Sequence, residues 1–347
     1  MEILSRPPAP GCPKRMVFGP CGGVRTDGTC EMLPTPCVFD ALTDLPDHSV
    51  DEAPSTPSFG PLLQPPGVEW PPMILTDLST PPADASALRS TVRRLAPSCD
   101  AVLVGDHQDR VDFPPSTLAR LIADAGAVPW VTLACRDRNR ITLEQELRAL
   151  ALDRLATVLC VTGDGRAYDV RPDITQAFDL DGTRLAGLAA SLGLRVAVAE
   201  TPTAPPRALR PKRLVQKQQV GAQLGCLNHV PSVAHLTAFL EAARAAGLRM
   251  PVIASVVVFT DHRSAAALTA LPGLTIAPER IEAVLTAADP VEAGMTAAVD
   301  EAVQLLQVPG VAGVNLSGLA SAQSMLAAAE IQADIGHRIR TARGDRQ

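Results

Sequence analysis

From Pro72 onward the sequence is punctuated by eight short apolar runs, and this is the feature that most constrains its fold. They are MILTDL (73–78), AVLVGD (101–106), PWVTLAC (129–135), TVLCVTGD (157–164), LRVAVAE (194–200), GAQLGCLNH (221–229), PVIASVVVF (251–259) and VAGVNLSG (311–318). None shows the in/out alternation of a half-exposed strand, as expected for parallel strands covered on both faces. Stretches of helical period follow at 84–96, 115–125, 141–152, 181–191, 210–219, 232–246, 279–306 and about 319–340. Eight strands alternating with eight helical segments predict a (β/α)8 TIM barrel over 72–340. A doubly wound open sheet is the competing layout. No G-x-G-x-x-G follows the first strand, which weighs against a dinucleotide-binding version of it.

Two regions precede the barrel. Residues 1–42 are rich in Cys, Gly and Pro, and residues 43–71 (DLPDHSVDEAPSTPSFGPLLQPPGVEWP and its flank) form a Pro-rich linker or arm without periodicity. The net charge of -6, with no run of Lys or Arg, argues against nucleic acid or an anionic membrane as the main partner. No apolar stretch approaches the ~18 residues of a membrane span. The segment from Met1 to Met16 has no apolar core of a secretory signal, so the expected compartment is the cytoplasm. Aromatics are 3% of the chain, with one Tyr and two Trp, which leaves little with which to stack a flavin or a pterin.

In a reducing compartment eight cysteines point to metal or buried thiols, not disulfides. Four of them, Cys12, Cys21, Cys30 and Cys37, share the spacing C-x8-C-x8-C-x6-C in CPKRMVFGPCGGVRTDGTCEMLPTPC. Thiolates suit zinc or an Fe–S cluster, and the segment has too little apolar content to fold alone. It is therefore expected to be a small metal-binding module. Against it stands a Gly/Pro-rich loop with incidental cysteines. Cys99, Cys135, Cys160 and Cys226 are expected to be buried and inert, with Cys135, at a strand end, the one exception.

Barrel chemistry sits at the C-terminal ends of the strands. Those positions hold Asp77; Asp106 and His107; Cys135 through Arg140; Thr162, Gly163 and Asp164; Glu200; Asn228 and His229; Thr260 and Asp261; and Asn315 and Ser317. Asp and Ser are also common helix caps, so each has a structural reading beside the functional one. Asp137 or Asn139 can cap the helix near Ile141. Gly163 lets the backbone approach a ligand while Asp164 sets a carboxylate beside it.

Read together, CRDRNR, VLCVTGDGR and QKQQVGAQLGCLNH resemble the methylenetetrahydrofolate reductase family of (β/α)8 barrels. The N-terminal CPKRMVFGPCGG…DGTCEM…C is similar to the cysteine-rich segment that accompanies some bacterial members, often at the other end or on a separate subunit. The resemblance implies reduction of 5,10-methylenetetrahydrofolate to 5-methyltetrahydrofolate with NAD(P)H, usually through FAD. It places Asp164 beside flavin and pterin, and Lys217 at the flavin phosphates. Asp106, His107, Arg136, Asp137, Thr162 and Gly163 would complete the cofactor site. Asn228 stands where the family has a folate-contacting amide, with Glu200 on the substrate side. Asp77 lies near the acid that supplies the proton for ring opening. A homo-oligomer or a partner subunit would fit such a chain.

The sequence departs from that pattern at three points. The family spacing E-x2-P-P, counted back from Pro81-Pro82, lands on Leu78, so Asp77 is one residue out of register: either the strand bulges or the donor is lost. In the second case Asp106, His107 or Glu200 would be the next candidates. Val198 stands where flavin-binding members carry Tyr, and Arg210 where they carry Asp. Flavin-free hydride transfer is then an option. Two other classes stay open: a folate-binding or methyl-handling partner without reductase activity, and a barrel metalloenzyme using His107 and His229. No H-x-H or HExxH spacing supports the latter.

Overall fold

The computed structural model describes residues 7–46, 72–166, 171–270, 274 and 276–344. Most of the predicted Pro-rich arm, residues 47–71, lies outside them. Eight parallel strands close into a barrel in chain order: β1 (Met73–Leu78), β2 (Ala101–Val104), β3 (Val128–Ala134), β4 (Thr157–Val161), β5 (Arg195–Glu200), β6 (Leu224–Leu227), β7 (Val252–Phe259) and β8 (Val311–Ala320). The helices are α1 (Ala85–Leu95), α2 (Pro115–Asp124), α3 (Arg140–Asp153), α4 (Gly182–Ser191), α5 (Arg210–Gln219), α6 (Val233–Ala245), α7 (His262–Thr269), α8 (Pro278–Leu285), α9 (Pro290–Leu305) and α10 (Met325–Ala342).

Successive side chains of a strand take opposite faces, and here both are apolar. Leu75, Leu103, Trp130, Leu159, Ala197, Leu224 and Ile253 fill the barrel interior. Ile74, Val102, Val131, Val158, Val196 and Val256 pack outward against the helical layer. This two-sided burial is why the strands read as unbroken apolar runs. The chain therefore has the (β/α)8 architecture expected of it.

Differences fall after β7. The stretch 279–306, expected as one helix, is two, because Asp289 caps a new start at Val291 N and Glu292 N, and Pro290 has no N–H to continue the turn before it. The short helix α7 was not expected. Asp261 and Ser264 form a reciprocal capping box that nucleates it. The last helix begins at Met325, capped by Ser324, because β8 runs on to Ala320.

Candidate active site

The C-terminal mouth of the barrel is capped by the cysteine-rich segment. Val17 N donates to Asp181 Oδ2 at 3.0 Å, and Arg184 reaches the Arg15 carbonyl at 3.2 Å. Lys14 Nζ donates to the Gly163 carbonyl at 2.6 Å, and Gly165 N donates to Glu31 Oε2 at 3.1 Å. Between segment and mouth lies a cavity of about 330 Å³. The barrel lines it with Asp106, Thr132, Arg136, Val161, Thr162, Gly163, Asp164, Ala199, Glu200, Thr201, Arg213, Lys217 and Asn228. The segment adds Lys14, Met16 and Pro20 through Gly23. A second cavity of about 200 Å³ shares Asp106 and Thr132 and is lined further by His107, Asp112, Phe113, Asp137 and Arg138.

Asp164 is exposed to the main cavity. Its backbone carbonyl accepts from Arg136 at 3.4 Å, while no described residue hydrogen-bonds its carboxylate. Gly163 adopts φ +89°, a left-handed value that suits glycine and turns the chain at the strand end. Thr162 Oγ1 accepts from Gly182 N at 2.9 Å and so ties the loop to the start of α4.

The CRDRN element proves to be mainly a strut. Arg136, 2% exposed, spans Asp137 Oδ2 (2.8 Å), the His107 carbonyl (2.9 Å) and the Asp164 carbonyl. Asp137 also accepts from Arg166 at 2.8 and 2.9 Å. Asp137, expected in the cofactor site, therefore faces the smaller cavity with two guanidiniums upon it. His107 does the same, its Nε2 3.4 Å from Asp112. Asp106 lines both cavities and is paired with Arg138. Asn139, not Asp137, caps α3, accepting from Thr142 N at 2.9 Å.

Glu200 is 2% exposed and is the counter-ion of a buried cationic cluster. Lys217 reaches it at 2.8 Å and Arg210 at 3.3 Å. Burial alone would raise this carboxyl, but Lys217, Arg210 and Arg213 outweigh it and hold it at about 2. Burial lowers Lys217 in turn, since one carboxylate is shared among three cations. Asn228 donates to Thr201 Oγ1 at 3.0 Å and is exposed to the cavity. Cys99, Cys135 and Cys160 are buried, and burial raises all three thiols, Cys99 to about 12. Cys226 lies partly buried in the interior, its thiol pushed up to about 12 by burial and by Asp77.

Asp77 keeps the regular strand register, Asp77 opposite Leu103, and so points into the barrel without any bulge. Leu78 packs in the helical layer. Asn315 Nδ2 and Ser317 Oγ donate to the Asp77 carboxyl at 2.8 Å each. Burial nevertheless raises its pKa. The interior acid is thus Asp77 itself, one position before the residue that spacing singled out. Val198 likewise packs outward, and Ala199 faces the cavity. The cavity residues not anticipated, Lys14, Met16, Pro20 and Arg213 among them, carry no motif of their own. Only the tripeptide Cys12-Pro13-Lys14 set Lys14 beside an expected ligand.

Residues 5–51 match the family model described as methylene-tetrahydrofolate reductase C terminal. The methylene-tetrahydrofolate reductase match thus falls on the very segment that closes the mouth. No curated protein matches the chain. Among solved structures, an uncharacterized protein from Clostridium thermocellum that binds two copies of 5-methyl-5,6,7,8-tetrahydrofolic acid is similar, with a TM-score of 0.52 and 13% identity. The alignment covers 78% of this chain and 96% of that one. At such identity the likeness is one of fold.

Two groups expected from methylene-tetrahydrofolate reductases can be set against these residues. A flavin does not fit them. Lys217, the cation expected at its phosphates, donates to Glu200 and to the Ala199 carbonyl, and Arg210 is held by Glu200 and the Ala204 carbonyl. Among the described residues no aromatic ring lines the main cavity, and the loop Pro20–Gly23 forms part of its wall. The metal module fits better by donor chemistry. Cys12, Cys21, Cys30 and Cys37 all line one small cavity with Lys14 and Glu31. Among the described residues no three His, Cys, Asp or Glu side chains converge as ligands, a departure from the single four-cysteine centre expected. Burial raises the Cys12 and Cys37 thiols and takes Cys21 to about 11, and Cys21 Sγ donates to Glu31 Oε1 at 3.4 Å. A metal bound by these sulfurs would hold them as thiolates, so its binding would release protons. Cys12→Ser and Cys30→Ser are each expected to lose about one equivalent of metal, as for a thiolate-bound structural site. Metal analysis unchanged in both would remove the centre.

Proposed function

We propose that the chain is an oxidoreductase of folate-bound one-carbon units, reducing 5,10-methylenetetrahydrofolate to 5-methyltetrahydrofolate with NAD(P)H. The observation that carries this reading is the seating of a reductase-family segment directly over the Asp164 mouth of a barrel. Hydride passes from the nicotinamide to the methylene carbon within the cavity, the bond from that carbon to N10 breaks, and a proton goes to the departing N10. Asp164 holds the pterin from the mouth, Asn228 offers an amide beside it, and Asp77 supplies the proton from the interior. The misfit of a flavin favours direct transfer between the two bound molecules. Zinc or an Fe–S centre in the cysteine segment would be structural or would relay electrons; an absorption spectrum separates flavin, Fe–S and colourless zinc.

A second reading has its own support. The similar Clostridium thermocellum protein binds the methylated product, so a folate-binding or methyl-handling partner subunit is the alternative. Assay of the purified chain for NADH- or NADPH-dependent formation of 5-methyltetrahydrofolate decides between them. Asp164→Asn keeps shape and removes charge, and it is expected to lower turnover at least about 10-fold, the scale of one lost positioned ionic contact. Full activity in that variant would dismiss Asp164 from the site.

A further inference from the structure

The cysteine-rich segment grips the loop of Asp164 from both sides. Lys14 Nζ donates to the Gly163 carbonyl at 2.6 Å, and the Gly165 N–H donates to Glu31 Oε2 at 3.1 Å. These groups belong to the residues on either side of Asp164 in the chain. Lys14 and Glu31 are themselves ion-paired, with side chains 4% and 6% exposed, so the grip is made away from water, where such bonds are strongest. The glycines make room for it. A Cβ on Gly23 would fall 1.9 Å from Glu31 Oε1, and one on Gly165 would fall 2.4 Å from Met32 Cγ.

We propose that Lys14 and Glu31 are positioning residues for Asp164, so that the cysteine-rich segment completes the barrel's site instead of merely covering it. The proposal rests on the reading of Asp164 as the carboxylate that meets the ligand. An ion pair that only held the segment down would work in either orientation. This bracket would not, because Gly163 presents an acceptor and Gly165 a donor. The double exchange Lys14→Glu/Glu31→Lys keeps the pair and the net charge, yet sets acceptor against acceptor and donor against donor.

The test uses the full chain as wild type, Lys14→Met, Lys14→Arg and the double exchange. It compares hydrogen exchange of peptides spanning 162–166, melting temperature, metal content, and kcat and KM for methylenetetrahydrofolate. In Lys14→Met and the double exchange, loop amides are expected to exchange at least about 10-fold faster and kcat to fall about 10-fold, the scale of one lost hydrogen bond to a charged group. Metal content of the double exchange should stay near wild type, and its melting temperature should fall by no more than the two lost bonds require, with the fold retained. Lys14→Arg should recover most of both losses. Where Lys14→Met fails to fold, Lys14→Gln replaces it. Unchanged loop exchange in the folded variants, or wild-type kcat in the double exchange, overturns the bracket. Faster loop exchange in a protein whose wild type does not turn over methylenetetrahydrofolate supports the bracket and sinks the substrate reading.

Discussion

Asp77→Asn is expected to lower turnover at least about 100-fold, the usual share of general acid catalysis, while the protein stays folded. Opening the methylene bridge requires a proton at the leaving N10, and few described groups near the barrel mouth can hold one at neutral pH. Glu200 cannot, since Lys217, Arg210 and Arg213 hold it ionised down to about 2. Asp106 is engaged by Arg138. Asp77 differs from both. Among the described residues no cation pairs with it, burial raises its pKa, and its partners are an amide, a hydroxyl and a backbone N–H. These neutral donors pull the other way but do not outweigh burial.

The pH dependence carries a sign. An acid must be protonated to donate, so turnover should fall as pH rises through the raised pKa of Asp77, and that limb should vanish in Asp77→Asn. Asn315 contributes to the arrangement: its Oδ1 is buried without a partner among the described residues, and a flip of the amide would let it accept from protonated Asp77. Turnover and melting temperature measured on one variant separate the roles. A normal rate per folded molecule, with lost stability, would mark Asp77 as structural.

The barrel was legible because parallel strands buried on both faces leave unbroken apolar runs, and each run from Met73 to Ser317 marks a strand. The mouth was legible in part. Asp164, Thr162 and Asn228 sit where strand ends predicted, because a strand's last residues face the mouth in any such barrel. Asp137 and His107 face the smaller cavity for a different reason. Their directions depend on Arg136 and Arg166, guanidiniums that pull the β2 and β3 loops toward one another, and Arg166 carried no signal of its own. The count from Pro81-Pro82 pointed to Leu78, yet strand alternation alone puts Asp77 on the interior face with Leu75. The contribution of Lys14 and Glu31 was not readable at all. It depends on contacts between positions 149 and 134 residues apart in the chain, made by a segment whose composition speaks only of cysteine.

Glu200→Gln is expected to destabilise the fold by about 3–5 kcal/mol at neutral pH, the cost of removing one partner from a buried ion pair. The side chain is 1% exposed, and its loss leaves Lys217 and Arg210 buried without their counter-charge. The wild type offers an independent measure of the same interaction. The carboxyl titrates at about 2 when folded against 4.5 ordinarily, so it binds fewer protons in the native state over that interval. Its stabilisation is therefore complete above the ordinary value and drains away as pH falls from about 4.5 toward 2, by roughly 3 kcal/mol in all. Urea titrations at pH 7, 4.5 and 3 should show wild type losing stability across the acid window more steeply than Glu200→Gln. A Glu200→Gln protein as stable as wild type at pH 7 would mean that the three cations find other partners, or water, and that the carboxylate does not hold the β5 end of the mouth together.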